Sequence, residues 1–283
     1  MQSAHDTRSC LIVEGGGFKT GFTSGILDAF IAAGYNPFDQ FLGVSGGSVA
    51  ISYFLSRQYR SSLESMLLLA KDKNFLKVSR SLGTQGYMDI DFIAEVASKK
   101  VPFRIDEAIK NCERSKVFFV TTNRVSGKAE YLSPNATNWL DVVVASCTLP
   151  FVTKGRHIVD GREYLDGGWS DPLPIKWAYE NGARKILVLR THPKSDRSKQ
   201  SWADYFGSIY FRSVPKLSRV FERAYEKYNE SLDYLDNPPH DLEIEQLTPS
   251  KLLKSTTYSY SKKSIMSDYR YGLDCGVKYM MKK

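Results

Sequence analysis

Phe41-Leu42-Gly43-Val44-Ser45-Gly46-Gly47-Ser48-Val49 is the stretch on which the fold turns. A short apolar strand runs into Gly43, and a helical pattern leaves from Ser48 with Val49, Tyr53 and Phe54 on one face. Between them lies Gly-x-Ser-x-Gly, set as strand, tight turn, helix. A serine at the apex of so sharp a turn has a strained backbone and a hydroxyl lifted clear of its neighbours. Gly43 and Gly47 carry no Cβ, so strand and helix can close in around it. The helix N-terminus behind the serine favours developing negative charge. Read by itself, the stretch is equally a plain Gly/Ser turn.

Upstream, Cys10-Leu11-Ile12-Val13 is a continuous apolar run, as for a strand buried on both faces. It empties into Glu14-Gly15-Gly16-Gly17-Phe18-Lys19-Thr20-Gly21, and a helix follows with Ile26, Leu27, Phe30 and Ile31 on one side and Gly34 as its stop. Two successive strand-turn-helix units imply a parallel sheet with covering helices, an α/β class. Three successive glycines after a strand turn their N–H groups toward an anion. A phosphate loop would need Gly before Lys19-Thr20, where Phe18 stands. A dinucleotide fingerprint would need a third glycine where Thr20 stands, and no acidic residue closes the following unit at the usual distance. The third candidate is the oxyanion of an acyl intermediate, with Ser45 on the next strand as nucleophile.

Downstream, Ser61–Asp72 is a leucine-rich helix, and 74–106 is mixed, with a short helix over Asp91–Ser98. Val117–Thr122 is a strand that returns as a hairpin through Lys128–Leu132, and Trp139–Cys147 is a helix. Asp160-Gly161 reads as the turn of a second hairpin, whose outgoing strand delivers Asp166 into Gly167-Gly168. Asp171–Tyr179 is a helix capped at Gly182, and Lys185–Arg190 is another buried strand. Beyond Pro193 the pattern weakens. Lys194–Gln200 reads as an exposed loop, and the aromatics of Trp202–Phe211 read first as core. Leu217–Leu235 reads as one long amphipathic helix, Leu242–Glu245 as a strand and Asp268–Met281 as a helix. Without repeats or a linker, 1–283 is expected to form one domain, with a motif-bearing core over 9–192 and a helical extension over 193–283.

Hydrophobic content of 42% and charged content of 25% suit a globular chain with a sizeable core. A net charge of +8 suits anionic surfaces, phospholipid headgroups or nucleic acid, without choosing between them. Cys10, Cys112, Cys147 and Cys275 form no Cys-x-x-Cys pair. With His5, His157, His192 and His240 scattered, no metal spacing emerges. Cys10 and Cys147 read as small core residues of a reduced compartment. Neither a signal pattern nor a run of membrane-spanning length is found, so a cytoplasmic location is expected.

Gly15-Gly16-Gly17-x-Lys19, Gly43-x-Ser45-x-Gly47, Ala145-Ser146 ahead of Pro150, and Asp166-Gly167-Gly168 occur in one order along the chain. Together they resemble the patatin-like phospholipase family, closest to its bacterial branch, convincingly over about the first 190 residues. The resemblance implies a three-layer α/β/α fold with a mostly parallel sheet, related to cytosolic phospholipase A2. It implies a Ser–Asp dyad without histidine: Ser45 as nucleophile and Asp166 as general base. The amides around Gly15, Gly16, Gly17 and Gly46 would bind the oxyanion with Lys19 nearby, and Gly43, Gly47, Gly167 and Gly168 would shape the turns. The family loop usually reads Gly-Gly-Gly-x-Arg-Gly. Lys19 keeps the charge but not the bidentate fork, and Thr20 replaces a glycine.

The expected activity is hydrolysis of fatty-acyl esters of lipids or phospholipids through an acyl-serine, with no cofactor and no metal. The expected partners are the lipid ester and, peripherally, an anionic membrane, with no nucleic acid. The sequence sets no oligomeric state. Two other readings stand beside it. One is an α/β-hydrolase triad of Ser45, Asp166 and His192 or His240, the histidines otherwise reading as surface or loop residues. The other is a non-catalytic protein that cradles a phosphate or lipid in the glycine loop.

Overall fold

The computed structural model describes residues 8–71, 89–150, 152–153, 155–257 and 261–283. The reading of 74–106 as mixed and loop-rich therefore lies partly outside the described residues. The parallel centre of the sheet is β1 (Arg8–Val13), β2 (Gln40–Val44), β3 (Lys116–Asn123) and β7 (Ala183–Leu189), ordered β3-β2-β1-β7, with β8 (Glu243–Leu247) parallel to β7. β1 sits between β2 and β7, so the connections diverge to opposite sides of it. The carboxyl ends at such a switch point form the crevice where α/β sheets bind ligands.

The sheet separates two apolar layers. Leu11 and Val13 of β1 join one cluster, whereas Cys10 and Ile12 join the other, as the two-residue period of a strand demands. The first cluster is covered by α1 (Thr20–Ala33), α2 (Gly46–Leu55) and α6 (Trp139–Ser146). The second is covered by α7 (Ile175–Glu180) and α10 (Ala224–Asp236). This is the three-layer α/β/α arrangement that the family resemblance implies. α1 is buried over Thr20–Phe30 because α11 (Lys262–Met280) closes its outer side. The two helices meet through glycines: a Cβ on Gly272 would lie 1.8 Å from the Phe22 carbonyl oxygen.

Several boundaries differ from the sequence reading. α3 (Ser61–Lys71), β4 (Ala129–Leu132) and α6 match it. α4 (Asp91–Glu95) passes into a π-helical turn over Val96–Lys100, and α5 (Ile105–Asn111) was not foreseen. α7 starts at Ile175, behind Pro172 and Pro174. The single helix expected over Leu217–Leu235 is two, α9 (Pro215–Glu222) and α10, broken at Arg223. α9 buries Leu217 and Phe221 against Leu165 and Phe211, while α10 buries Leu232 and Leu235 against the β7 side of the sheet. One straight helix cannot turn its stripe to both clusters, so the break follows from burial.

α8 (Trp202–Tyr210) corrects the expectation that its aromatics fill the core. Tyr205, Phe206, Ile209 and Tyr210 are exposed, and Phe211 is buried. No helix among the described residues is long and apolar enough to cross a membrane.

Candidate active site

The register around β3 explains why residues 45 and 166 meet. Phe119 and Val120 pair with both β2 and β4, whereas Thr121 and Thr122 pair with both β4 and β6 (Arg162–Asp166). A strand has two edges, so β2 and β6 share one edge of β3. β2 is parallel to β3 and β6 antiparallel, so the two run toward each other and stop tail to tail. Val44 pairs with Val120 and Asp166 with the adjacent Thr121. β6 is aimed by its hairpin with β5 (His157–Val159), whose turn has positive φ at both Asp160 (48°) and Gly161 (75°).

Ser45 occupies the elbow with φ 54° and ψ −129°, a region that side-chain-bearing residues rarely adopt. The surroundings hold it there. The Ser45 N–H donates to Ser146 Oγ at 3.0 Å, and Ser146 Oγ is in turn bonded to the Val120 carbonyl at 2.8 Å and to Ser48 Oγ at 2.9 Å. Close approach leaves no room for side chains at two neighbours. A Cβ on Gly47 would lie 2.2 Å from the Val13 carbonyl oxygen, and one on Gly15 would lie 2.8 Å from Ser45 Cβ. Gly43 backs onto Ser48, Gly46 faces Thr20, and Gly167 packs on Val120.

Asp166 is buried, with 2% of its surface exposed. Its Oδ1 accepts the Gly168 N–H at 2.8 Å, whereas Oδ2 is buried without a hydrogen-bond partner among the described residues. Burial pushes the carboxyl up to about 6, against the lowering effect of the nearby Ser45 hydroxyl and the Gly168 N–H. The hydroxyl thus lies close enough to favour the carboxylate, although no hydrogen bond joins the two among the described residues. Such contacts commonly tighten only when substrate arrives. Cys147, buried as expected for a core thiol, lies beside both groups, and burial and the Asp166 charge push its thiol well up.

Two pockets meet at this point, sharing Gly17, Ser45, Leu149 and Thr257. One is an apolar chamber walled by Met66, Leu69, Ile93, Phe103 and Val143, enclosing about 970 Å³ including its open mouth. The other is polar, about 1180 Å³ on the same measure, and reaches Asp166, His192, Lys199, Tyr225 and Tyr228. Gly16 (φ 137°) and Gly17 (φ 56°) form the lip, and their N–H groups, like that of Gly46, donate to no acceptor among the described residues.

Lys19 stands behind the loop, with its Nζ 2.7 Å from His192 Nε2. His192 is a half-buried loop residue, with 27% of its side chain exposed. Its Nδ1 lies 2.9 Å from Glu14 Oε1, and it is linked to neither Ser45 nor Asp166 by a hydrogen bond. His240 is exposed, and His157 pairs with Asp141. The described hydrogen bonds thus assemble no Ser-His-Asp triad. Glu14, Thr191 and Tyr228 were missed in the sequence, and His192 was named there only as a candidate triad base. The available signal was Glu14, a carboxylate directly after a buried strand and 3% exposed.

Fold and site together define an α/β protein with an elbow serine and a buried carboxylate at the carboxyl edge of a mostly parallel sheet. The family model described as patatin-like phospholipase matches residues 11–179, and a second, described as a domain of unknown function (DUF6363), matches 214–282. The chain is 30% identical over 274 residues to the uncharacterized protein YjjU of Escherichia coli (strain K12), covering 95% of this chain and 76% of that protein. It is also similar to VipD from Legionella pneumophila, with a TM-score of 0.46 and 12% identity over 98% of this chain and 67% of that one. The chain belongs to the patatin-like phospholipase family.

Proposed function

We propose that this protein is a serine acyl hydrolase that cleaves fatty-acyl esters of phospholipids or related lipids. The observation that carries the reading is the elbow serine at the junction of an apolar and a polar pocket, with the Asp166 carboxylate beside it. An ester placed at Ser45 would lay its acyl chain in the apolar chamber and its headgroup in the polar one. Asp166 takes the Ser45 proton as Oγ attacks the carbonyl carbon. The Gly16, Gly17 and Gly46 amides face the developing oxyanion, where one such donor is worth about 3 kcal/mol in comparable sites. The alcohol leaves with the proton from Asp166, and water, deprotonated by the same carboxylate, releases the fatty acid. Gly43, Gly47, Gly167 and Gly168 shape the two turns, and 1–283 acts as one structural unit.

The same reading carries peripheral contact with an anionic membrane through α8, and a reducing, cytoplasmic setting suited to four free cysteines. Fluorophosphonate labelling is the test. Wild type is expected to label at Ser45, Ser45→Ala not at all, and Asp166→Asn far more slowly. Full esterase activity in either variant would sink the dyad. Loss of p-nitrophenyl ester hydrolysis on His192→Ala or His240→Ala would instead favour a triad. Binding of a phosphorylated lipid without labelling would favour a non-catalytic cradle.

A further inference from the structure

The three carbonyls of the glycine loop are all spent on donors, and two of those donors are threonine hydroxyls. Thr191 Oγ1 donates to the Gly15 carbonyl at 2.8 Å, the Lys19 N–H to the Gly16 carbonyl at 3.1 Å, and Thr20 Oγ1 to the Gly17 carbonyl at 2.6 Å. A carbonyl has no hydrogen to give, so each threonine hydroxyl is the donor. The Gly15–Gly16 peptide is trans, and a trans peptide points its C=O and its N–H to opposite sides. Holding the Gly15 carbonyl therefore turns the Gly16 N–H away from Thr191.

Thr191 stands behind the loop. It is 1% exposed and lines neither pocket, whereas Gly15, Gly16, Gly17 and Ser45 line the polar one. A Cβ on Gly16 would lie 2.9 Å from Thr191 Oγ1, so the threonine packs directly beneath that residue. With Thr191 on one side of the peptide and the pocket on the other, the Gly16 N–H faces the pocket. Thr191 is itself held. Val13 pairs with Leu189 at the ends of β1 and β7, so the residues that follow the two strands lie side by side. The Thr191 N–H donates to Glu14 Oε2 at 2.5 Å, and the Glu14 N–H returns to the Leu189 carbonyl at 3.0 Å. Glu14 Oε1 accepts the Tyr228 hydroxyl at 2.8 Å, which ties the anchor to α10. Thr20 differs from Thr191 in lining the apolar chamber, so replacing it would also change what a substrate touches.

We propose that Thr191 is a positioning residue that aims the Gly16 N–H at the oxyanion. This rests on the acyl-hydrolase reading and adds to it a residue that none of the sequence motifs contains. Glycines on both sides of the peptide leave its rotation unopposed by any Cβ, so its aim has to come from a neighbour. The benefit falls on the transition state. The amide meets a partial charge on the ester carbonyl of bound substrate and a full one on the tetrahedral intermediate. Loss of the Thr191 hydroxyl therefore lowers kcat and leaves KM nearly unchanged.

The experiment compares wild type with Thr191→Val, Thr191→Ala and Thr191→Ser. The readouts are hydrolysis of a p-nitrophenyl ester, the rate of fluorophosphonate labelling, and inhibition by an alkyl trifluoromethyl ketone, whose hemiketal with a serine carries the oxyanion. Valine keeps the branched shape without the hydroxyl, and serine keeps the hydroxyl without the branch. Thr191→Val should lower kcat and labelling about ten- to a hundredfold, less than deletion of an oxyanion donor, with KM within about twofold. Affinity for the ketone should fall by the same factor as kcat/KM. Thr191→Ala should match valine, which keeps the test open if a buried valine disturbs folding. Thr191→Ser should restore most of the loss. In wild type, ketone binding should slow hydrogen exchange at the Gly16 amide. Unchanged kcat and ketone affinity in a folded variant lacking the hydroxyl, an equal loss in Thr191→Ser, a loss confined to KM, or a Gly16 amide that the ketone does not protect would each overturn the proposal. Absence of fluorophosphonate labelling in wild type would remove the hydrolase reading itself, whereas equal labelling of wild type and Thr191→Val would remove the positioning role alone.

Discussion

Replacing Asp166 by Asn should abolish activity and at the same time make the protein more stable. Burial outweighs the Ser45 hydroxyl and the Gly168 N–H and pushes the Asp166 carboxyl from its ordinary value of 3.8 up to about 6 in the folded protein. Between those two values the folded protein holds a proton that the unfolded chain has lost, so stability falls as pH rises through the window. Above it the whole cost is present: a shift of about two units at about 1.4 kcal/mol each is about 3 kcal/mol at pH 7, falling to about 1 kcal/mol near pH 4.5. Asparagine carries no charge, keeps an oxygen for the Gly168 N–H, and sets an amide where Oδ2 now lacks a partner. The Ser45 hydroxyl is within reach to accept from that amide. Urea unfolding of both proteins at the two pH values reads the difference, and titrations shared by both cancel. A variant no more stable than wild type at neutral pH, or an advantage that does not shrink on acidification, would refute the argument.

In the proposed mechanism the ionised carboxylate is also the form that accepts the serine proton. The rate of fluorophosphonate labelling should therefore fall about tenfold per pH unit below an apparent pKa near 6 and level off above it, as a pH series of labelling rates would show. Gly47→Ala places a Cβ 2.2 Å from the Val13 carbonyl oxygen, so the elbow must shift; a loss of about 2 kcal/mol or more and a collapse of labelling are expected in denaturation and activity assays. Gly272→Ala improves helix propensity by up to about 1 kcal/mol, yet it should destabilise because α11 must move off Phe22; a raised urea midpoint would contradict this. Phe206→Ser with Tyr210→Ser should weaken co-sedimentation with anionic vesicles, since both rings lie on the exposed face of α8 beside the exposed cations Arg212 and Lys216, and should leave p-nitrophenyl ester hydrolysis unchanged.

Local chemistry made much of this protein legible in its residues. A strand buried on both faces reads as an apolar run, the amphipathic helices keep their period, and Gly-x-Ser-x-Gly and Gly-Gly-Gly mark turns that few other residues permit. Each of these signals is confined to a short stretch of chain, and together they sufficed for the α/β class, the elbow at Ser45, and the hairpin that carries Asp166. The break at Arg223 and the outward aromatics of α8 were not legible in the same way. Periodicity shows that a helix has an apolar stripe, but what covers the stripe is supplied by elements distant in the chain.

The site divides along the same line. Ser45 and Asp166 carried motifs, but their meeting depends on β2 and β6 sharing one edge of β3, a register that no local pattern encodes. His192 read as a loop residue because its partners, Lys19 and Glu14, lie 173 and 178 positions away. The residues alone determined which backbone could bend and which side chains could react. The tertiary fold decided which of them lost water together, and burial is what sets the charge of Asp166, binds Glu14 to His192, and gives the serine an apolar pocket on one side and a polar one on the other.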